Sequence, residues 1–266
     1  MKKIDLATVA GLCCAFGLIL LGNAMEGGHL HAIVQPTAAL IVFGGTFGAT
    51  MVGFPLEDFI RALKSIALFF GNKAQDSRAV LDEIVRYAQI ARREGIIALE
   101  EHVQKATDPF FKKAFLMVVD GVDSKTIAET LELELHELDE KGEVPAKVFE
   151  AAGGYCPTVG ILGAVLGLIH VMSNLSDIEK VGSGIAVAFV ATIYGVGAAN
   201  IVCLPAANKL KMKHRAEMVL REMIMHGAIA IQQGENPKLI EGKLSVFAHG
   251  HAKKHGAEAG KTKAAA

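Results

Sequence analysis

The sequence has no tryptophan, and aromatic residues make up only 6% of its 266 positions although 52% are hydrophobic. An apolar fraction built from aliphatic residues, Ala and Gly is that of a helical membrane protein, not of a large soluble core. Formal net charge is −1, so no overall field points to nucleic acid. The 4 cysteines, Cys13, Cys14, Cys156 and Cys203, all fall inside apolar stretches, and no pattern among them suggests a disulfide framework or a zinc site. A phosphate-cradling glycine loop, a nucleophile elbow and an internal repeat are all missing. No cluster of His, Asp and Glu lies within the apolar stretches, so neither an enzyme nor a cofactor is expected.

Charge is missing most conspicuously from Gly153–Met172 and Gly184–Pro205, which contain no Asp, Glu, Lys or Arg. At a rise of about 1.5 Å per residue, each can cross a hydrocarbon core of roughly 30 Å. Small residues fill both. Gly160, Gly163 and Gly167 mark one face of the first, and Gly195, Gly197, Ala198 and Ala199 crowd the second. Such faces let helices pack backbone to backbone in lipid, where apolar side chains gain nothing by leaving the tails. Pro157 and Pro205 each free a backbone carbonyl and bend their helix unless neighbours satisfy it. Close-packed, proline-marked helices with sparse polar groups suit the wall of a pathway.

Two more spans precede these, at about Leu6 to Gly22 and Ala32 to Phe54, joined by a linker without Lys or Arg. Lys2 and Lys3 ahead of an apolar run resemble a secretory signal, but no small-residue cleavage site follows, so an uncleaved helix is expected. With four spans both termini share one side. Of the 27 Lys and Arg, all but Lys180 fall on that side, which the positive-inside rule makes cytoplasmic.

The pattern therefore predicts an all-α membrane protein. Residues 1–54 hold the first two spans, 55–147 a cytoplasmic helical insert, and 148–210 the third and fourth spans. Residues 211–248 form a cytoplasmic C-terminal helix, and 249–266 a low-complexity, disordered tail. Within the insert, Val80, Ile84, Tyr87, Ile90 and Ala91 recur at helical spacing up to a break around Gly95. Further helices are expected over Pro109 to Gly121 and over Ser124 to Glu140. The latter has Ser124 as N-cap and carries Ile127, Leu131, Leu133 and Leu138 among many acids, leading almost directly into the third span. The basic run Lys209, Lys211, Lys213 and Arg215 reads as a stop-transfer flank on a continued fourth helix. A separate helix over about Ala216 to Gln233 is expected to return toward the insert. In the tail, His249, His251 and His255 are an adventitious metal-binding run at most. His170, near the outer end of its span, reads as an inert bundle histidine.

The run HELDEKGEVPAKVFEAAGGYCPTVGILGAVLGLIHVM, the later ATIYGVGAANIVCLPAANKLK and the upstream ARREGIIALE together resemble the MotA and PomA family of flagellar stator subunits. The resemblance covers nearly the whole chain. It implies a bacterial inner-membrane protein that forms a ring of five copies around a MotB-type partner, whose transmembrane helix bears the ion-carrying aspartate. Ion flow would then turn the ring, and the cytoplasmic helices would push on the rotor protein FliG. The sequence agrees independently on one point: the third and fourth spans have no carboxylate, so a partner must supply the titrating acid.

By the resemblance, Pro157 and Pro205 shape the channel-side helices and their coupling to the cytoplasmic insert, and Thr158 and Tyr194 join the channel-side set. Tyr194 also reads as a packing residue. Thr192 matches the threonine that faces the partner aspartate. It lies 13 residues before Pro205, roughly 20 Å along a helix; the alternative for its hydroxyl is a bond back to its own helix. Sodium-driven relatives usually carry a threonine seven residues after the first proline, and here that position is Ala164. An alanine offers no oxygen to an ion shedding its hydration shell, so protons are favoured over sodium. Arg92 and Glu100 match the pair that meets FliG. An ExbB or TolQ type energiser of outer-membrane processes is the alternative, but that family usually has three spans and an outside N-terminus.

Overall fold

The computed structural model describes residues 5–71 and 76–247, with only the backbone of residues 30 and 31. Lys2, Lys3 and the tail with His249, His251 and His255 lie outside the described residues. In chain order the helices are α1 (Leu6–Met25), α2 (Leu30–Ile33), α3 (Pro36–Gly53), α4 (Leu56–Phe70), α5 (Ser77–Glu94), α6 (Glu100–Gln104), α7 (Pro109–Val119), α8 (Ser124–Met172), α9 (Ile178–Gln232) and α10 (237–247). Among the described residues α1, α3, α8 and α9 are long and apolar enough to cross a membrane. The chain forms two compact units: Met1–Lys73 with Gly142–Met212, and Ala74–Lys141 with Lys213–Ala266.

In the first unit, α1 starts where the Asp5 carboxylate accepts a hydrogen bond from the Ala7 amide at 3.1 Å, a cap that also answers the positive end of the helix dipole. The second span begins later than Ala32. Gln35 is extended (φ −122°, ψ 100°) because the following Pro36 disfavours helical backbone before it, and Pro36 takes the first helical position. α3 ends the same way, with Phe54 extended before Pro55. α4 was not expected as a separate element. It buries Phe59, Ala62, Ser65 and Phe69 along one face, and Phe59 and Ala62 pack with Val148 of α8. It clusters with the spans, not with the rest of the expected insert.

The second unit has a closed core. Val80, Ile84 and Tyr87 of α5 are buried at the spacing read from the sequence, with Ile90 and Ala91 packed alongside. Tyr87 meets Phe111 and Phe115 edge to face at 5.4 and 5.2 Å, and those two rings stack at 4.4 Å. Ile127, Leu131, Met223, Ile224 and Ile240 complete the interior. Gly95, at φ +92°, provides the break after α5, a conformation that side chains other than glycine rarely adopt.

Three expectations need correction. Ser124 is not the N-cap of its helix: the Asp123 carboxylate accepts from the amides of Lys125 and Thr126 at 3.1 and 3.0 Å, so Ser124 is the first helical residue. Leu133 is not a core position; it is 74% exposed while Ile127 and Leu131 are fully buried. Ala216 to Gln233 is not a separate helix: helical backbone runs on from Ile178 to Gln232, with a π-helical turn at Ala198–Cys203 ahead of Pro205, while Met223 and Ile224 join the core with the insert helices as expected.

Candidate functional site

In the first unit α8 and α9 touch backbone to backbone. A methyl group on Gly195 would fall 2.6 Å from the Cys156 carbonyl oxygen, one on Gly167 2.8 Å from that of Gly184, and one on Gly160 3.0 Å from that of Ala191. Gly163 lies against the Ala191 methyl and Ile41 of α3. The three glycines of the GxxGxxxG run thus all face α9. Gly197, in contrast, looks onto open space.

With α9 committed to α8 and α3 on one side, its other side is left uncovered. Thr192 is exposed there, beside Phe189, Ile193 and Val196, which are 70%, 52% and 47% exposed. Its hydroxyl donates to the Ala188 carbonyl at 3.2 Å, so the bond back to its own helix is made. That bond uses the proton and leaves oxygen lone pairs for a second partner. Thr158 does likewise on α8, exposed and bonded to the Tyr155 carbonyl at 2.8 Å. Pro157 and Ala164 are half-buried and sit two turns apart on one face of α8. Pro157 interrupts no helix, although its ring nitrogen cannot reach the Gly153 carbonyl. Pro205 is exposed and lies two residues beyond the π-helical turn that ends at Cys203. Polar atoms on this open side are hydroxyls and amides; the apolar stretches of α1, α3, α8 and α9 carry no carboxylate.

Tyr194 is placed differently from Thr192. Its hydroxyl donates to the Ile33 carbonyl at 2.6 Å and accepts from the Gln35 amide at 3.2 Å. The ring stacks on Phe43 at 5.7 Å. Nothing in the sequence marks this contact, since its partners lie 159 and more residues away. A second unforeseen contact binds α9 just beyond its apolar stretch: the Lys209 ammonium donates to the Asp5 carboxylate and the Thr8 hydroxyl and lies over the Phe69 ring at 5.7 Å. Lys211 pairs with Glu150. The basic flank is therefore partly neutralised inside this unit, and Lys209 holds the Asp5 carboxyl below the usual carboxylate range.

In the second unit Arg92 and Glu100 are both exposed and flank the turn at Gly95. Among the described residues neither has an ion-pair partner, whereas neighbouring Glu101 pairs with Lys105 at 2.6 Å. Arg92 sits in the last turn of α5 and Glu100 opens α6, so each also favours its helix dipole. Between them Ile97 stands 76% exposed, an apolar residue framed by charge that the sequence reading passed over.

Comparison with known proteins agrees with this arrangement. Residues 102–223 match the MotA/TolQ/ExbB proton channel family, and residues 9–95 match the motility protein A N-terminal family. The chain is 34% identical to motility protein A of Bacillus subtilis over 246 residues, 92% of this chain and 91% of that protein. It is 33% identical to chemotaxis protein PomA of Vibrio alginolyticus, covering 92% and 95%. Among solved structures, C. jejuni MotAB superposes with a TM-score of 0.87 at 30% identity, covering 92% of this chain and 96% of that one. The flagellar MotAB stator complex from Bacillus subtilis gives 0.83 at 33% identity, covering 91% and 95%. Four membrane-length helices, two of them glycine-packed beside an acid-free open face, in a chain related over 92% of its length to motility protein A, place it in the MotA/TolQ/ExbB proton channel family, among its motility protein A members.

Proposed function

We propose that this chain is a flagellar stator subunit that, with a MotB-type partner, forms an ion channel and converts ion flow into torque on the rotor protein FliG. The observation that carries this reading is the uncovered side of α9, where Thr192 offers an oxygen amid apolar side chains and the spans hold no acid. An ion relay through lipid needs a titrating or coordinating group, so the carboxylate comes from a partner helix seated on that side. Five copies surrounding the partner would give each Thr192 the same access to it. The protein then lies in the inner membrane with both termini cytoplasmic, an orientation that the distribution of Lys and Arg supports.

Ala164 supports protons as the coupling ion. At this half-buried position a methyl group stands where a hydroxyl would help strip a sodium ion. A proton crossing 100 mV supplies about 2.3 kcal/mol, which sets the work available per ion. Arg92 and Glu100 serve as the FliG contact, their free charges steering an encounter that salt weakens. An ExbB or TolQ type role in outer-membrane energisation is disfavoured by the N-terminal match over residues 9–95.

The test is swimming speed in cells whose only stator is this chain with its MotB-type partner. Speed should survive sodium depletion and collapse with a protonophore at fixed external pH. Dependence on sodium would overturn the ion assignment, and immobility despite complexes in the membrane would overturn the stator reading.

A further inference from the structure

The contact between α8 and α9 is largely backbone on backbone: Gly160 meets Gly195 and Gly167 meets Gly184, with the Val171 side chain over Gly184 and the Ala191 methyl over Gly163. Van der Waals contact of this kind sets closeness but has no directional preference of its own. A hydrogen bond of fixed length and direction resists rotation of a helix about its own axis. On the covered side of α9 the Tyr194 hydroxyl makes two, to the Ile33 carbonyl at 2.6 Å and from the Gln35 amide at 3.2 Å.

Those partners are unusual. They lie at the last residue of α2 and the residue before α3, so these backbone groups lack the bonds a continuous helix would give them and need another partner. The tyrosine is thereby held as firmly as the gap needs it. Residues 192 and 194 are about 200° apart around a helix, so fixing Tyr194 inward fixes Thr192 outward. The Phe43 ring, stacked at 5.7 Å, supports the tyrosine from the side.

We propose that Tyr194 is the positioning residue of the ion-pathway helix: its hydroxyl, by bridging the gap between α2 and α3, sets the rotation at which α9 presents Thr192 to the partner. The pathway role of Thr192 rests on the function proposed above; the rotation of α9 does not.

The experiment uses the full chain with its MotB-type partner in membranes, comparing the parent with Tyr194→Phe, which deletes the hydroxyl and keeps the ring. Cysteines introduced singly at Phe189, Thr192, Ile193 and Val196 are labelled with a membrane-permeant maleimide, counted above the native cysteines. Tyr194→Phe should reach the membrane at the parent level. The relative labelling of the four sites should shift by at least about three- to tenfold, the population change that loss of even one of the two hydrogen bonds produces. Torque should fall in parallel. Phe43→Leu, which removes the stacking partner alone, should leave the labelling order unchanged. An unaltered order in Tyr194→Phe would overturn the proposal, as would the same shift in Phe43→Leu. Failure of Tyr194→Phe to accumulate would make the hydroxyl a folding brace and overturn it equally. If the parent complex turns no flagellum, the stator reading falls while the labelling still decides the positioning role.

Discussion

The two units of this protein are packed on opposite principles. The second fills its interior with large side chains, Tyr87, Phe111, Phe115, Met223 and Ile224 among them, and is stabilised by the apolar area it hides from water. The first brings backbones together by having almost nothing between them, and leaves large apolar residues such as Leu18, Phe189 and Ile193 facing outward. Around the first unit there is lipid or partner rather than water, so burial gives little and closeness gives much. One region therefore suffers when atoms are removed, and the other when atoms are added.

The largest expected effect follows from the closed core. Phe115 is 0% exposed and touches two other rings, so Phe115→Ala should lower stability by about 3–5 kcal/mol, read as a lower melting temperature of the detergent-solubilised chain. A chain that melts as before would mean the second unit does not depend on this core. The converse substitution in the first unit, Gly195→Ala, adds one methyl 2.6 Å from a carbonyl oxygen. Overpacking of this kind costs about 1–3 kcal/mol, and the yield of complex with the MotB-type partner should fall. An unchanged yield would break the contrast between the units.

A smaller effect concerns the clasp at Asp5. Because the hydrogen bond from Lys209 lowers the folded-state value of this carboxyl, its stabilisation is present above the unfolded value of 3.8 and is lost as pH falls through the folded one. The pair is partly solvated, so it contributes about 1 kcal/mol or less. Asp5→Asn should thus be less stable than the parent at neutral pH, and the difference should vanish in acid. Equal stability at pH 7 would show the clasp to be inert. Reversal of both Arg92 and Glu100, exposed and without an ion-pair partner among the described residues, should cost the folded state little: each charge is turned against its helix dipole, worth about a few tenths of a kcal/mol at an exposed site. Membrane insertion should be intact, while motility is impaired. Loss of the protein from membranes would make these charges structural.

How much of this was legible in the sequence divides along the same line. The spans were legible because lipid excludes charge, and the faces of α5 and α8 because an amphipathic helix advertises its period. Asp123 and Ser124 both suit a cap, and only the backbone decides between them. The run of α9 past Arg215 was hidden because the basic flank reads as the end of a span, and nothing in the residues marks that no new helix starts at Ala216. α4 carries a legible period, with Phe59, Ala62, Ser65 and Phe69 on one face and Arg61 and Lys64 exposed away from it, and was passed over because it follows the second span after a single proline. The bonds of Tyr194 and Lys209 join residues more than 150 positions apart, where periodicity carries no information. At the candidate site the sequence supplied the residue types through resemblance, and the structure supplied the direction in which each points.

The most direct test of the central claim, that the open side of α9 seats the partner's acid, is site-directed crosslinking. A cysteine at Thr192 is paired with a cysteine at the partner's ion-carrying carboxylate, and Leu18, 62% exposed on α1, serves as the outward control. Under mild oxidation Thr192→Cys should crosslink and Leu18→Cys should not. A crosslink at Leu18 with none at Thr192 would contradict the account.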